Sequence, residues 1–325
     1  MTATHTCAIC GRTDAHKTYE VPEFQFGMGG TFTYFACSAC GCLQIAAIPE
    51  NLGRYYPDRY YSHAVHGKGS GYRRFKDRLE ARRNLFCLTG KGPVGRILQA
   101  FLPEMALPKL ARVRPSKDAR ILDVGSGTGR PLFFLAGQGY RRVTGVDPFI
   151  KGDIEGPNGL RVFKKELSQL QGTWDIIMFN HSLEHMPDNL APLVKARELL
   201  ADDGWCIVSV PTVDSYAWRH YGIHWIGLDA PRHLYLHSKA SFKLLAEKAG
   251  FRIEETLFDS NTGQFWASEN FRRGLTMKAD GSRWTWIGNR IGRALGFLPQ
   301  YLRAERLNKQ GDGDMIAFFL KKASP

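Results

Sequence analysis

The chain predicts an α/β fold with a doubly wound, mostly parallel sheet, preceded by a small cysteine-bearing module. Three observations lead there. From Ala119 onward, short runs rich in β-branched and aromatic residues alternate with helix-length amphipathic stretches. The first run ends in a glycine-rich turn, ILDVGSGTGR at 121–130, and the second ends in an acid, VTGVDPF at 143–149. Such alternation builds βαβ units whose strands pair in parallel. A length of 325 residues accommodates one large domain and a small one.

The first 45 residues carry CAICG and CSACG, so Cys7, Cys10, Cys37 and Cys40 form two Cys-x-x-Cys knuckles, each followed by glycine. Two knuckles can offer four thiolates tetrahedrally to one Zn²⁺, in a structural role because protein fills every position. FQFGMGGTFTYF, between them, reads as a hairpin around a glycine-rich bend. The pattern resembles a zinc ribbon with a long spacer. Cys42, Cys87 and Cys206 are left over, and Cys206 sits in an apolar strand run that suits a core position. Residues 46–117 read as helices and loops; RYYPDRYYSHAVHGKGSGY (54–72) is either a lid over a site or a tethering linker.

Within 118–325, strands are expected at ARILDVG, RRVTGVD, LRVFKK, WDIIMFN, WCIVSVP, FRIEETLFD and MIAFFLK. Helices are expected at PLFFLAGQ, LAPLVKARELL and SKASFKLLAEKAG, the last with Gly250 at its C-cap. PFIKGDIEGPNG (148–159) is too rich in Gly and Pro for a good crossover helix. Residues 259–311 interrupt the domain before its last strand. They include an amphipathic, basic, aromatic stretch that either caps a cleft or touches an anionic lipid surface.

Bulk properties narrow the class. Hydrophobic residues make up 43% and charged residues 23%, as in ordinary globular proteins. No apolar run is long enough to span a bilayer, and the first residues lack signal-peptide character. A cytoplasmic protein with reduced cysteines is expected. The net charge of +13 favours an anionic partner: a phosphorylated small molecule, nucleic acid or a lipid surface. Arg73, Arg74, Lys76, Arg78, Arg82 and Arg83 share one expected helix with Asp77 and Glu80, which also reads as a solvated face.

The glycine turn specifies the ligand further. Glycines at a strand-to-helix turn admit close approach of a ligand to the backbone. An acid about 20 residues on, at the tip of the next strand, is placed to hold ribose hydroxyls. Asp123, Gly125, Gly127, Gly129 and Asp147 fill these positions, and an adenosine compound is implied. Arg130 stands where a dinucleotide fingerprint needs its last glycine. Asp123 would repel a pyrophosphate but suits a ligand bearing an ammonium group.

The order D-x-G-x-G-x-G, Asp147, TWDIIMFNHSLEHMPD (173–188) and LLADDGWCIVSVP (199–211) resembles the class I S-adenosylmethionine-dependent methyltransferases over residues 118–258. That resemblance implies a seven-stranded Rossmann-like sheet with a reversed last strand. It implies S-adenosylmethionine held by Asp123 at its ammonium, by the turn of Gly125, Ser126, Gly127 and Gly129, by Asp147 at the ribose and by Glu166 at the adenine, with Asn180 also lining the cofactor.

On the acceptor side, His181, Glu184 and His185 follow the fourth strand, whose carboxyl end opens on the ligand crevice in such sheets. On one helical turn His181 and Glu184 share a side, and His with Glu makes a workable base and orienter. The LEH triplet resembles that of quinone and other small-molecule O-methyltransferases. The string WIGLDAPRH (225–233) is similar to one in bacterial surface-polysaccharide and sugar methyltransferases. There Arg232 would clamp a phosphate and His233 would serve as the competing base, both binding substrate. The chain lacks the large carboxy-terminal domain of sugar C-methyltransferases, so O-methylation of a sugar or glycan is expected.

Two other readings remain open. An RNA methyltransferase would use the zinc ribbon, the basic residues at 73–83 and Tyr55, Tyr56, Tyr60 and Tyr61, but the N/D-PP-Y/F and cysteine motifs of RNA base methylation are missing. A zinc-ribbon interaction protein with a dead cofactor fold is opposed by the intact Asp123, glycines and Asp147.

Overall fold

The computed structural model describes residues 2–56, 71–276 and 283–323, with the side chains of 71–74 and 283–295 outside that description. Most of the expected lid or linker, Tyr60 and Tyr61, the side chains of Arg73 and Arg74, and part of the amphipathic stretch therefore lie outside the described residues. Among the described residues, no helix is long and apolar enough to cross a membrane.

The chain opens with β1 (Thr2–Thr6), β2 (Thr13–Pro22), β3 (Thr31–Ala36) and β4 (Leu43–Ile45). Helices α1 (Gly71–Thr89), α2 (Pro93–Phe101) and α3 (Leu107–Arg112) lead into β5 (Arg120–Val124), α4 (Arg130–Gly137) and β6 (Arg142–Val146). Then come β7 (Ile154–Glu155), β8 (Arg161–Phe163), β9 (Trp174–Asn180), α5 (Leu190–Leu199), β10 (Leu200–Pro211) and α6 (Tyr216–Tyr221). The chain finishes with β11 (Tyr235–Leu236), α7 (Lys239–Lys248), β12 (Phe251–Phe258), α8 (Gly263–Arg272), α9 (Arg283–Gln310) and β13 (Met315–Lys322).

The main sheet has the order β12-β13-β10-β9-β5-β6-β8-β7. The β5–β6, β5–β9, β6–β8 and β9–β10 pairs are parallel, while β13 runs antiparallel to both β10 and β12. The last strand is thus reversed. Among the described residues eight strands pair where the resemblance implies seven. The eighth comes from the Gly- and Pro-rich stretch after Asp147: with no crossover helix, the chain doubles back and β7 pairs antiparallel with β8.

Both faces of the sheet are covered, so its central strands are nearly continuous apolar runs. In β9, Ile177 and Phe179 join Leu122, Val208, Leu193, Phe242 and Phe318 on one face. Ile176 and Met178 join Ile121, Val143, Leu132, Leu110 and Phe319 on the other. Alternate residues serve opposite layers, as the period-2 geometry of a strand requires. Cys206 in β10 is fully buried, in the first of these layers.

The amino-terminal sheet does not close within residues 1–45. Its order is β1-β2-β3-β4-β11, and the fifth strand is contributed by Tyr235–Leu236. The knuckles also pack into the main core: Cys7, Ile9, Phe35, Cys37, Cys40 and Cys42 share one apolar cluster with Phe242, Leu245 and Phe251. Lys248 Nζ donates to the Ile9 carbonyl and Ser238 Oγ to that of Cys40, each at 2.5 Å.

Candidate active site

The cofactor-side residues meet at the carboxyl edge of β5 and β6. Gly125 and Gly129 both have φ of +73°, in the left-handed region. A Cβ on Gly129 would lie 2.6 Å from Val162 Cγ2, and one on Gly125 would collide with Ser182 Cβ. The neighbouring Ser182 hydroxyl donates to the Val124 carbonyl at 2.6 Å. Asp147 is buried and accepts the Gly127 amide at 2.9 Å on one oxygen and the Phe149 amide at 2.8 Å on the other. It therefore ties the tip of β6 to the glycine turn. Ser126 points its hydroxyl at the Gly127 carbonyl, 3.4 Å away, within the same turn.

Asp123 is buried and its Oδ1 has no hydrogen-bond partner. Burial first, then the nearby Glu104 and Asp147 carboxylates, push its carboxyl up to about 8. A cationic ligand group would relieve all three effects. Asn180 ends β9 and accepts from Lys109 Nζ at 3.5 Å. Glu166 lies apart from this arrangement in its bonding: it is exposed, accepts from Ser168 Oγ at 3.2 Å, and forms a capping box with Gln169.

On the acceptor side, Leu183–His185 is a single 3₁₀ turn rather than a longer helix. His181 precedes it at φ +54°, unusual for a side chain with a Cβ, and its amide donates to the Ser209 carbonyl at 3.0 Å. His181 Nδ1 lies 3.5 Å from Glu184 Oε1. Glu184 is fully buried, and neither carboxylate oxygen has a hydrogen-bond partner. Burial alone would raise it; His181, His185 and His233 outweigh that and hold it at about 2.

The structure brings together the two competing bases, His185 and His233, with ring centroids 4.7 Å apart. His185 Nδ1 donates to the Arg232 carbonyl at 2.9 Å, with the Tyr56 hydroxyl at 3.2 Å, and His233 Nδ1 donates to the Gly227 carbonyl at 2.8 Å. Burial, then the neighbouring His233, lowers His185 to about 4, so it is neutral at pH 7.

Arg232 corrects the sequence expectation. Its side chain is 0% exposed and donates to Asp229, to Glu23 Oε1 at 2.8 Å and to the Tyr55 carbonyl at 2.9 Å, with Phe26 beneath the guanidinium. A side chain sealed in this way is not available to clamp a substrate phosphate. Much of its string is architectural too: Trp225 is buried and donates to Asp314 at 2.9 Å. His233 is the member of the string whose ring packs against His185, while Arg232 and Gly227 contribute backbone carbonyls.

The four knuckle cysteines are free thiols. Cys7 Sγ lies 3.6 Å from Cys40 Sγ, Cys10 Sγ lies 3.5 Å from Cys37 Sγ, and all four sulfurs fall within 4.8 Å of one another. A hydrogen bond from Cys40, with backbone amides and Gln44 Nε2 at 3.1 Å, pulls the Cys7 thiol down. The donor set suits a tetrahedral Zn²⁺.

Sequence reasoning missed Lys109. It is 1% exposed and bridges Asp259, at 2.9 Å, and Asn180 at the carboxyl edge of the sheet. Nothing in LPKLAR distinguishes it from a surface lysine. Glu23 and Tyr34 were missed as well; the Tyr34 hydroxyl donates to the His233 carbonyl at 2.8 Å.

Residues 96–256 match the family model of a methyltransferase domain. Among solved structures, the chain is similar to the 1,6-didemethyltoxoflavin-N1-methyltransferase of Burkholderia thailandensis, solved with 1,6-didemethyltoxoflavin and S-adenosylhomocysteine (17% identity, 80% of this chain and 94% of that one, TM-score 0.39). It is also similar to a SAM-dependent methyltransferase of Thermotoga maritima (16%, 77% and 96%, 0.40) and to a mycolic acid cyclopropane synthase (17%, 67% and 86%, 0.42). No curated protein matches the chain. With a methyltransferase domain matched over residues 96–256, the protein is an enzyme, a methyltransferase.

Proposed function

We propose that the protein methylates a hydroxyl oxygen of a sugar or glycan acceptor, in polysaccharide or sugar biosynthesis. The observation that carries the acceptor side is the Glu184, His185 and His233 cluster: a sealed carboxylate faces two imidazoles whose Nδ1 protons are fixed by backbone carbonyls. The sugar reading is supported by the W-x-G-x-D-x-PRH string at 225–233, of which His233 is the member at the cluster.

S-adenosylmethionine supplies an activated methyl group. The chain's own work is binding, alignment and proton handling. Asp123 receives the ammonium, the turn at 125–129 fits against the ligand, and Asp147 holds the turn and the ribose. Alignment of this kind can supply about 7–11 kcal/mol of the barrier. With Nδ1 protonated, the Nε2 lone pairs of His185 and His233 are available toward the acceptor, and a positioned base adds roughly 10²–10⁴ in rate.

The cysteine set at 7, 10, 37 and 40 holds a structural Zn²⁺ in this reading. Its place, packed against α7 and joined to the His233 loop through β4–β11, supports a scaffolding role. Incubating cell extract with isotopically labelled cofactor and protein, followed by mass spectrometry, tests the acceptor. A labelled saccharide is expected; label confined to RNA or to a non-sugar metabolite overturns the sugar assignment.

A further inference from the structure

We propose that the exposed face shared by α2 and α9 docks the protein on an anionic lipid bilayer. Val94, Ile97 and Phe101 recur at three- and four-residue spacing along one side of α2, and all three are exposed. Leu102 follows directly, and Leu298 and Leu302 stand one turn apart on α9. Ile97, Phe101, Leu102, Leu298 and Leu302 are each between 56% and 62% exposed. Single exposed apolar residues are ordinary, but a group of this size on adjoining helices marks a contact surface.

The two helices share that surface. The Phe101 and Phe297 rings stack at 4.0 Å, and Phe297 stacks in turn on Tyr301 at 5.8 Å. The other side of α2 is closed against α1: Gly95 is buried, and a Cβ there would lie 2.5 Å from both the Arg82 carbonyl oxygen and Phe86 Cβ. The exposed side chains therefore have no room within the fold.

Charge identifies the partner. α1, α2 and α9 hold 13 of the chain's 44 Lys and Arg, but only Asp77, Glu80 and Glu305 of its 31 acids, so they carry most of the net charge of +13. Arg96 is exposed beside Ile97 and lies within electrostatic reach of Tyr301 on α9. Arg306 and Lys309 are exposed further along α9, as are Arg78 and Arg82 on α1. Apolar side chains within a cationic field match acyl chains beneath anionic headgroups. A nucleic acid would use the charge and leave Ile97, Leu298 and Leu302 in water. The contact is peripheral, because no described helix is long and apolar enough to cross a membrane.

Co-sedimentation of the full chain with vesicles tests the surface. Binding to vesicles of equal phosphatidylcholine and phosphatidylglycerol is expected, weakening as salt is added, with little binding to phosphatidylcholine alone. The double variant Ile97→Gln, Leu302→Gln keeps every charge and alters only exposed side chains. Its melting temperature should be unchanged and its affinity for the mixed vesicles roughly tenfold lower. No sedimentation with the mixed vesicles, equal sedimentation with both vesicle types, or equal affinity of wild type and variant overturns the proposal. The comparison of vesicle types uses wild type alone, so it stands whatever the fold of the variant. Binding of poly(U) RNA without binding of vesicles overturns it in favour of nucleic acid. A dimer in vesicle-free solution that the double variant breaks apart overturns it in favour of a second copy. Methyl transfer is not read, so the result is independent of the acceptor.

Discussion

Glu23 and Arg232, 209 residues apart in the chain, meet at 2.8 Å with neither side chain exposed. Glu23 also accepts the Phe26 and Met28 amides, each at 2.8 Å, so one carboxylate fixes both the bend after β2 and the loop that carries His233. Arg232→Met leaves Glu23 and Asp229 buried without their cation and should cost about 3–5 kcal/mol. Glu23→Gln leaves Arg232 paired with Asp229 and should cost less, about 1–3 kcal/mol. Denaturant unfolding of both variants checks the order; equal or reversed losses contradict it.

In the cofactor reading proposed above, Asp123 links ammonium binding to pH. Its carboxyl, raised to about 8 by burial and by Glu104 and Asp147, binds a proton in the folded protein that the unfolded chain releases near 4. The stability it contributes is complete below the unfolded value and is lost as pH rises toward 8. Ionisation favours an ammonium ligand, so cofactor affinity should rise from pH 6 to pH 8 with proton release. Calorimetry in buffers of different ionisation enthalpy measures both. Asp123→Asn should abolish the pH dependence along with most of the affinity.

Gly125→Ala combines a left-handed φ with a collision at Ser182. A loss of about 1–3 kcal/mol from backbone strain alone is expected, with cofactor binding abolished. Thermal melting and titration with S-adenosylhomocysteine check it; normal affinity would refute the close-approach role of the turn.

Cys7→Ser, or chelation of the Zn²⁺ proposed at the four cysteines, should lower the melting temperature of the whole chain rather than unfold the first 45 residues alone. The reason is the shared apolar cluster and the β4–β11 pairing. Limited proteolysis should then show cleavage near 225–237 as well as in the knuckles. Cleavage restricted to the knuckles would count against the coupling.

The strands of the main sheet were legible because their burial on both faces writes continuous apolar runs, as in WDIIMFN. The glycine turn was legible because its left-handed φ and close packing demand glycine locally. Arg232 was not. Its partners Glu23 and Tyr55 lie 209 and 177 residues away, so a cation after a proline reads as substrate-facing when it is an internal strut. Lys109 escaped for the same reason: burial beside Asp259 is set by tertiary packing, not by its neighbours in LPKLAR. The eighth strand followed from a missing helix that the sequence showed, but its edge pairing did not.

The pairing of residues 43–44 with 235–236 also constrains biogenesis. The leading sheet emerges early from the ribosome, yet its last edge is supplied only after most of the catalytic domain has been synthesised. Until then a half-finished border with unpaired amides stays open to wrong partners. Completion of the amino-terminal portion is thus a late event, and it coincides with the arrival of His233.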